Sequence, residues 1–339
     1  MRSPARVSRR LSLKSLGTSL LAGTGTAALL ATAPLAHASD YPNKPLKLIV
    51  PFAAGGSTDI VARVLAEGMR HTLGQTVIVD NRAGAGGLMG TEALAQSPGD
   101  GYTIGMATVS TMTINPLLYS RAQGLGAKLT PVANLVTMPS VYMVHPSMGV
   151  NTFNDFVAKL KANPGKFSGG IPGIGTLGHL MLASFNETMK TQIQIVPYRG
   201  NGPALNDALA GTVQVMTDQL PSAMAQIKGG KLLPVVLAGE TRSAELPNVP
   251  TFKELGYPEL NTLGISWFGL VVPKSTPADV VQKLQDAAVK AAHLPEVQKQ
   301  LQALGAFPTE MNQKDFPAQI ARQLQSNQVL LDKVGVKPE

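Results

Sequence analysis

The residues best placed to do chemistry in this chain are uncharged. Ala53-Ala54-Gly55-Gly56-Ser57-Thr58-Asp59 joins an apolar run, "LKLIVPF", to an amphipathic stretch, "STDIVARVLAEGM". The two glycines can adopt positive φ and present successive backbone N–H groups. Ser57 or Thr58 can cap the helix that follows, and a helix N-terminus attracts negative charge. Such a turn would capture a phosphate, a dinucleotide or a carboxylate. The plainer alternative is a tight strand-to-helix turn with an ordinary cap. A Walker A loop needs a Lys beside its closing Ser or Thr. No Lys occurs between Lys47 and Lys128, which disfavours a nucleoside triphosphate. "AGAGGLMG" at 83–90 spaces its glycines as G-x-G-x-x-x-G and follows the second strand. A dinucleotide fingerprint sits after the first strand, so close backbone packing is the preferred reading here.

Other polar residues cluster at the ends of apolar runs. "ATVSTMTINPLLY" places Ala107, Thr108, Ser110 and Thr111 where a third strand should stop. With strand order 2-1-3, the loops after strands 1 and 3 flank a switch point, and these hydroxyls would face the Gly-rich turn. Alternatively they satisfy their own backbone. "PGIGTLGH" offers Gly175, Thr176 and His179 at a helix start. A lone His is a ligand contact or a structural hydrogen-bonder. "VPYRG" puts Tyr198 at a strand end to wall a ligand, beside Arg199, which pairs with a carboxylate or is solvated. Asp218 closes "VQVMTD" and either accepts from a ligand or caps the next helix. No catalytic set appears: there is no H-E-x-x-H, no close His pair and no G-x-S-x-G. No metal site and no cofactor is expected.

The elements that must position these residues alternate. Strands are predicted at "LKLIVPF", 76–81 and 103–110, with helices between them, which implies parallel sheet covered on both faces. A second series follows. "TFNDFVAKLKANPGK" is a helix capped by Thr152, and "FSGGI", "IQIVPYRG", "VQVMTD" and "KLLPVVLAG" are strands with helices between them. Two long apolar segments, 129–147 and 263–277, could cross between the series. The first lobe is then discontinuous, 41–138 plus 266–339, and the second is 139–265. Helices "ADVVQKLQDAAVKAAH" and "PEVQKQLQALG" and an amphipathic stretch over 313–334 close the chain.

Bulk properties agree with a globular α/β protein of 339 residues, 44% hydrophobic and 15% charged, with 34 Gly and 25 Pro serving short connections. Residues 1–38 read as an export signal. The start is basic, the middle is mildly apolar, and Ala36-His37-Ala38 fits a cleavage site. Ser8-Arg9-Arg10-Leu11-Ser12 is near a twin-arginine pattern, with Ser12 where an aromatic is usual. Losing its five basic residues lowers the formal charge from +8 to +3, so the basic balance says little about nucleic acid. No basic run is interleaved with aromatics. There is no Cys, which removes disulfides, thiol nucleophiles and thiolate metal ligands. Later segments are too short and polar to span a membrane. A soluble periplasmic monomer is expected.

At these residues the chain resembles the substrate-binding proteins of tripartite tricarboxylate transporters, the Bug family. The stretches that carry the resemblance are "YPNKPLKLIVPFAAGGSTDIVAR", "VDNRAGAGGLMGTEALAQSPGDGYT", "NPLLY", "GIGTLGHL", "VPYRGNGPALNDALAG", "LPNVPTFKELGY" and "WFGLVVPKSTP", in register over nearly all of the mature chain. The resemblance implies a two-lobed periplasmic binding fold, type II-like, closing as a Venus-flytrap about two hinge strands. It also implies delivery of a di- or tricarboxylate, acidic amino acid or aromatic acid to membrane permease subunits. In the family a ligand carboxylate lies against the first Gly-rich loop, partly through ordered water. That pattern falls here on Phe52, Ala54, Gly55, Gly56, Ser57 and Thr58, with Gly175, Thr176 and His179 facing it. Where many relatives read Thr-His-Ala before Asn-Pro, this chain has Thr111-Met112-Thr113, making that side of the cleft less polar. Two other readings stay open: an exported enzyme acting on a carboxylate or ester with His179 and Asp218 as acid and base, and a ligand sensor for a membrane partner.

Overall fold

The computed structural model describes residues 41–309 and 311–336; the export signal expected over 1–38 lies outside them. The first strand, β1 (Leu46–Val50), is buried and leads into helix α1 (Ser57–Leu73). Strand β2 (Val77–Asn81), helix α2 (Leu88–Ala95), strand β3 (Thr103–Thr108) and the short helix α3 (Asn115–Leu118) follow. A long strand, β4 (Leu129–Met138), ends this series. β1 pairs parallel with β2 and β3, giving the 2-1-3 order that sets a switch point between the ends of β1 and β3.

The chain then changes sheets across one residue, Pro139. Met138 pairs with Ser266 in the first sheet, whereas Ser140, which opens β5 (Ser140–Val144), pairs with Gln219 and Ala238 in the second. Helix α4 (Phe153–Ala162), strand β6 (Ser168–Ile171), helix α5 (Leu177–Met189) and strand β7 (Gln194–Pro197) come next. Helix α6 (Asn201–Leu209), strand β8 (Val215–Gln219), helix α7 (Leu220–Lys228) and strand β9 (Leu233–Ala238) complete the second sheet, and helix α8 (Pro258–Leu263) leads out of it. The chain returns to the first sheet as β10 (Ser266–Pro273). Helices α9 (Ala278–Ala292) and α10 (Pro295–Ala303), the two-residue strand β11 (Phe307–Pro308) and helix α11 (Phe316–Val334) finish it.

The first sheet has the order β11-β4-β10-β3-β1-β2 and the second β7-β6-β8-β5-β9. Neither is all parallel, which corrects the expectation from alternation. β10 runs antiparallel between β3 and β4, and β5 runs antiparallel between β8 and β9. A strand that enters its sheet from the other lobe arrives with no helical crossover to fix its direction. The third strand is also shorter than its predicted 103–110, because a π-helical turn, Ser110–Ile114, begins where the Ser/Thr-rich loop was expected.

One apolar cluster belongs to the first sheet, and a second is shared by both sheets. Leu46, Leu48, Val50, Val61 and Leu65 pack under the first sheet against Leu284 and Leu301 of α9 and α10. In the second, Tyr142, Phe153, Phe156, Phe185 and Phe252 form an aromatic cluster with ring centres 5.1–6.4 Å apart. α11 lies along the first sheet, where Phe316 meets Trp267 edge-on at 5.1 Å. Gly269 permits this approach: a Cβ there would lie 2.5 Å from the Phe316 ring. α4 starts where Thr152 was expected to cap it, with the Thr152 hydroxyl accepting from Asp155 N at 3.1 Å. Thr152→Ala is expected to cost about 1 kcal/mol, read as a lowered urea midpoint at unchanged slope.

Candidate functional site

Six chain segments end or begin at one small cavity. β1 delivers Phe52, Gly56, Ser57 and Thr58; β3 delivers Thr108, Val109 and Ser110; Pro172, Leu177 and Gly178 flank the start of α5; and Asn201 and Gln219 open α6 and α7. Ser266 and Phe268 of β10 form the floor. The cavity volume is about 30 Å³, room for one or two water molecules. No lining residue carries a charged side chain. What faces the space instead is the N-terminal ends of α1, α5, α6 and α7, together with hydroxyls. The first N–H groups of a helix have no intrahelical partner, and aligned peptide dipoles place partial positive charge there. The arrangement suits an anion held by neutral donors.

The two sheets meet directly across this space. Ser57 Oγ donates to Gln219 O at 3.1 Å, accepts from Ser222 N at 3.0 Å, and lies 2.7 Å from Ser222 Oγ. Leu177 N donates to Ser110 Oγ at 3.0 Å, and Tyr119 OH donates to Ile174 O at 3.0 Å. Backbone packs on backbone at two places. A Cβ on Gly202 would lie 2.4 Å from Ala54 O, and one on Gly86 would lie 2.3 Å from Ile174 O. These contacts describe lobes closed on each other.

Of the residues expected from sequence, Phe52, Gly56, Ser57, Thr58, Thr108 and Ser110 line the cavity. The others sit around it. Gly55, at φ +82°, turns the loop, and its N–H donates to Asp59 Oδ2 at 3.0 Å. Asp59 in turn lies 2.9 Å from Arg63 Nη2. Burial would push its carboxyl up, but the bonds from Arg63 and Gly55 outweigh this and hold it below the usual carboxylate range. Asp59 therefore braces the turn. Ala54 presents its carbonyl to Gly202, and Ala107 is a fully buried residue of β3 opposite Gly269. Thr111 is turned back on its own strand: its hydroxyl accepts from Thr108 N at 3.1 Å, and its N–H donates to Thr108 Oγ1 at 3.2 Å. The turn at 108–111 thus satisfies itself, while Ser110 alone reaches across.

In the second lobe Thr176 is the α5 cap, accepting from His179 N at 3.3 Å and donating to Gly173 O at 2.6 Å. Gly175, at φ +70°, packs against Tyr119 and donates to His179 Nδ1 at 3.4 Å. Burial lowers the His179 pKa, keeping the imidazole neutral. Tyr198 does not wall the cavity. Its hydroxyl donates to Asp207 Oδ2 at 2.6 Å, and burial and then Asp207 push its pKa up to about 12. Asp218 lies one residue behind the lining Gln219. It accepts from Gln219 N at 2.7 Å, from Asn201 Nδ2 and from Ser222 Oγ. Burial pushes its carboxyl up to about 7, although those three bonds pull the other way. Among the described residues no hydrogen bond joins His179 to Asp218, and no group of acidic or His side chains is arranged to hold a metal. Sequence reasoning missed Asn201, Gln219 and Ser222. Each stands at the first turn of a helix following a strand of the second sheet, the position Ser57 occupies in the first.

Residues 61–336 match the family model "Tripartite tricarboxylate transporter family receptor". The chain belongs to this family. Protein BugT of Bordetella pertussis is 34% identical over 325 residues, spanning 94% of this chain and 98% of BugT. The structure of periplasmic binding protein BugD matches with TM-score 0.83 at 34% identity, over 88% of this chain and 100% of BugD. R. palustris Rpa4515, solved with adipate, matches with TM-score 0.84 at 28% identity, over 88% of this chain and 100% of that one. The α/β fold with its two sheets is thus that of the periplasmic binding proteins, as the resemblance implied. A tripartite tricarboxylate receptor binds its substrate and does not transform it, so the enzyme reading is set aside. In such a receptor a neutral His179 and a self-satisfied 108–111 turn need no catalytic role.

Proposed function

We propose that this receptor works in the periplasm. There it captures a small organic carboxylate between lobe 41–138 plus 266–339 and lobe 139–265, and passes it to the permease subunits of a tripartite tricarboxylate transporter. The carboxylate lies against the β1–α1 turn, at the N–H groups of Gly56, Ser57 and Thr58. Ser110 and Asn201 close from the sides. One observation supports this most: four helix N-termini and several hydroxyls converge on a cavity that has no charged side chain in its lining. A buried carboxylate must be hydrogen-bonded or it is expelled by desolvation, and these neutral donors meet that need. The present cavity of about 30 Å³ holds a carboxylate group but not an extended diacid such as adipate. The lobes must therefore part to admit a ligand, and on closing they widen around its far end while the β1–α1 turn returns against α6. The ligand biases that equilibrium by its extra affinity for the closed form.

Calorimetry of the mature chain against adipate, malate, citrate, glutamate and benzoate tests the reading. One-to-one binding of at least one of them is expected, with the bound acid recovered unchanged after long incubation. Absence of heat and of thermal stabilisation across the whole set would overturn it.

A further inference from the structure

We propose that capture of the carboxylate takes up one proton at Asp218, and that this proton turns the Asn201 side-chain amide from an acceptor facing the cleft into a donor. The inference rests on the carboxylate reading above. Asn201 lines the cavity and is 6% exposed. Its Nδ2 is committed to Asp218 Oδ1. Among the described residues its Oδ1 is buried and has no hydrogen-bond partner. An ionised carboxylate only accepts, so an ionised Asp218 obliges the amide to point its nitrogen at the carboxylate and leaves its oxygen, sealed from water in the closed lobes, on the other side. Parting the lobes then presents that oxygen's partial negative charge to an incoming anion. A protonated Asp218 can donate to Asn201 Oδ1 instead. The amide then rotates by half a turn, its oxygen gains the partner it lacks, and its N–H₂ faces the ligand.

The surroundings favour this exchange because nothing holds Asp218 ionised by charge. It is 2% exposed, and its partners are the Asn201 amide, the Ser222 hydroxyl and the Gln219 N–H. The titratable groups on the elements packed against β8 are few. β5 carries Tyr142, whose hydroxyl is bonded to Met181 O at 2.8 Å, and β6 carries none. α5 carries His179, kept neutral by burial, and Glu187, paired with Lys190. α6 carries Asp207, bonded to Tyr198, and α7 carries Lys228, paired with Glu245. Across the cleft, α1 presents Asp59 already paired with Arg63. None of these supplies a cation to Asp218. Its carboxyl is accordingly raised by burial to about 7, and a ligand anion nearby raises it further by repulsion. Both effects have the same sign.

Titration calorimetry with adipate and malate at pH 6 and pH 8, in buffers of different ionisation heat, tests the proposal. The bound form holds a proton that the free form loses near pH 7, so affinity should be about tenfold weaker at pH 8 than at pH 6. The buffer dependence should report uptake of close to one proton at pH 8. Asp218→Asn, whose amide can donate permanently to Asn201, should bind equally at both pH values, which also controls for titration of the ligand itself. The proton count in the wild-type chain needs no variant and stands if Asp218→Asn misfolds. Binding that is equally tight at both pH values with no proton uptake overturns the proposal and leaves the carboxylate reading intact. No binding of any probe at either pH overturns both.

Discussion

Gly202→Ala is expected to hold the lobes apart and to weaken carboxylate capture by about 100-fold, or about 2.7 kcal/mol. The added Cβ would lie 2.4 Å from Ala54 O, a backbone atom in the opposite lobe that has no rotamer to yield. Relief comes only from separating the two surfaces. The same change should not harm the fold, because Gly202 is the second residue of α6 and has no left-handed backbone that Ala would strain. The variant therefore separates closure from folding: calorimetric affinity falls while the thermal midpoint holds. Gly56 makes a useful contrast. A Cβ there meets Asn201 Cβ at an ordinary 3.6 Å, so Gly56→Ala should be tolerated and only a branched side chain such as Val should obstruct the cleft. Equal affinity in Gly202→Ala would mean that the ligand-bound form does not bring the β1–α1 turn against α6.

The unliganded protein should lose stability between about pH 4 and pH 7 through Asp218. Burial raises that carboxyl to about 7 in the folded chain, against about 3.9 when unfolded. A raised acid favours folding fully below the unfolded value, and the benefit disappears as pH rises through the folded one. A shift of this size corresponds to at most about 4 kcal/mol. His179 works in the opposite sense. Its lowered pKa favours the folded chain above the unfolded value near 6.5, and that benefit is lost as pH falls. Asp59, lowered chiefly by Arg63 and Gly55 against the cost of burial, exerts its effect below about pH 4. Comparing wild type with Asp218→Asn cancels both. Urea midpoints should converge near pH 4 and separate toward pH 7, with the variant the more stable. Parallel curves over that range would contradict a carboxyl titrating near neutrality.

Much of the scaffold is legible in local sequence because its determinants are local. Apolar runs ending in Gly- or Pro-rich turns mark β1, β2, β6 and β7, and the cap at Thr152 is a three-residue motif. What pairs with what across distant segments is not local. β10 inserts antiparallel between β3 and β4 after more than a hundred residues in the other lobe, and its eight residues are all buried, so periodicity is silent about its direction. The site divides in the same way. Ser57 and Thr58 announce themselves by following a Gly pair at a helix start. Asn201 follows Gly200 at the start of α6 in the same relation, but its neighbours Tyr198 and Arg199 look chemically richer. Tyr198 turns to Asp207, and Arg199 stays exposed. Asp218 reads as a ligand contact or a helix cap. Instead it lies behind Asn201 and Ser222, a relation visible only once β7 and β8 are both set beside β6.

The most direct measurement is a crystal structure of the mature chain with the acid that binds most tightly in calorimetry. Its carboxylate oxygens should lie within hydrogen-bond distance of the backbone N–H groups at 56–58, directly or through one water, with Asn201 and Ser110 bordering them. A carboxylate seated on a lysine or arginine elsewhere, with the end of β1 empty or filled by the chain's own side chains, would contradict the account.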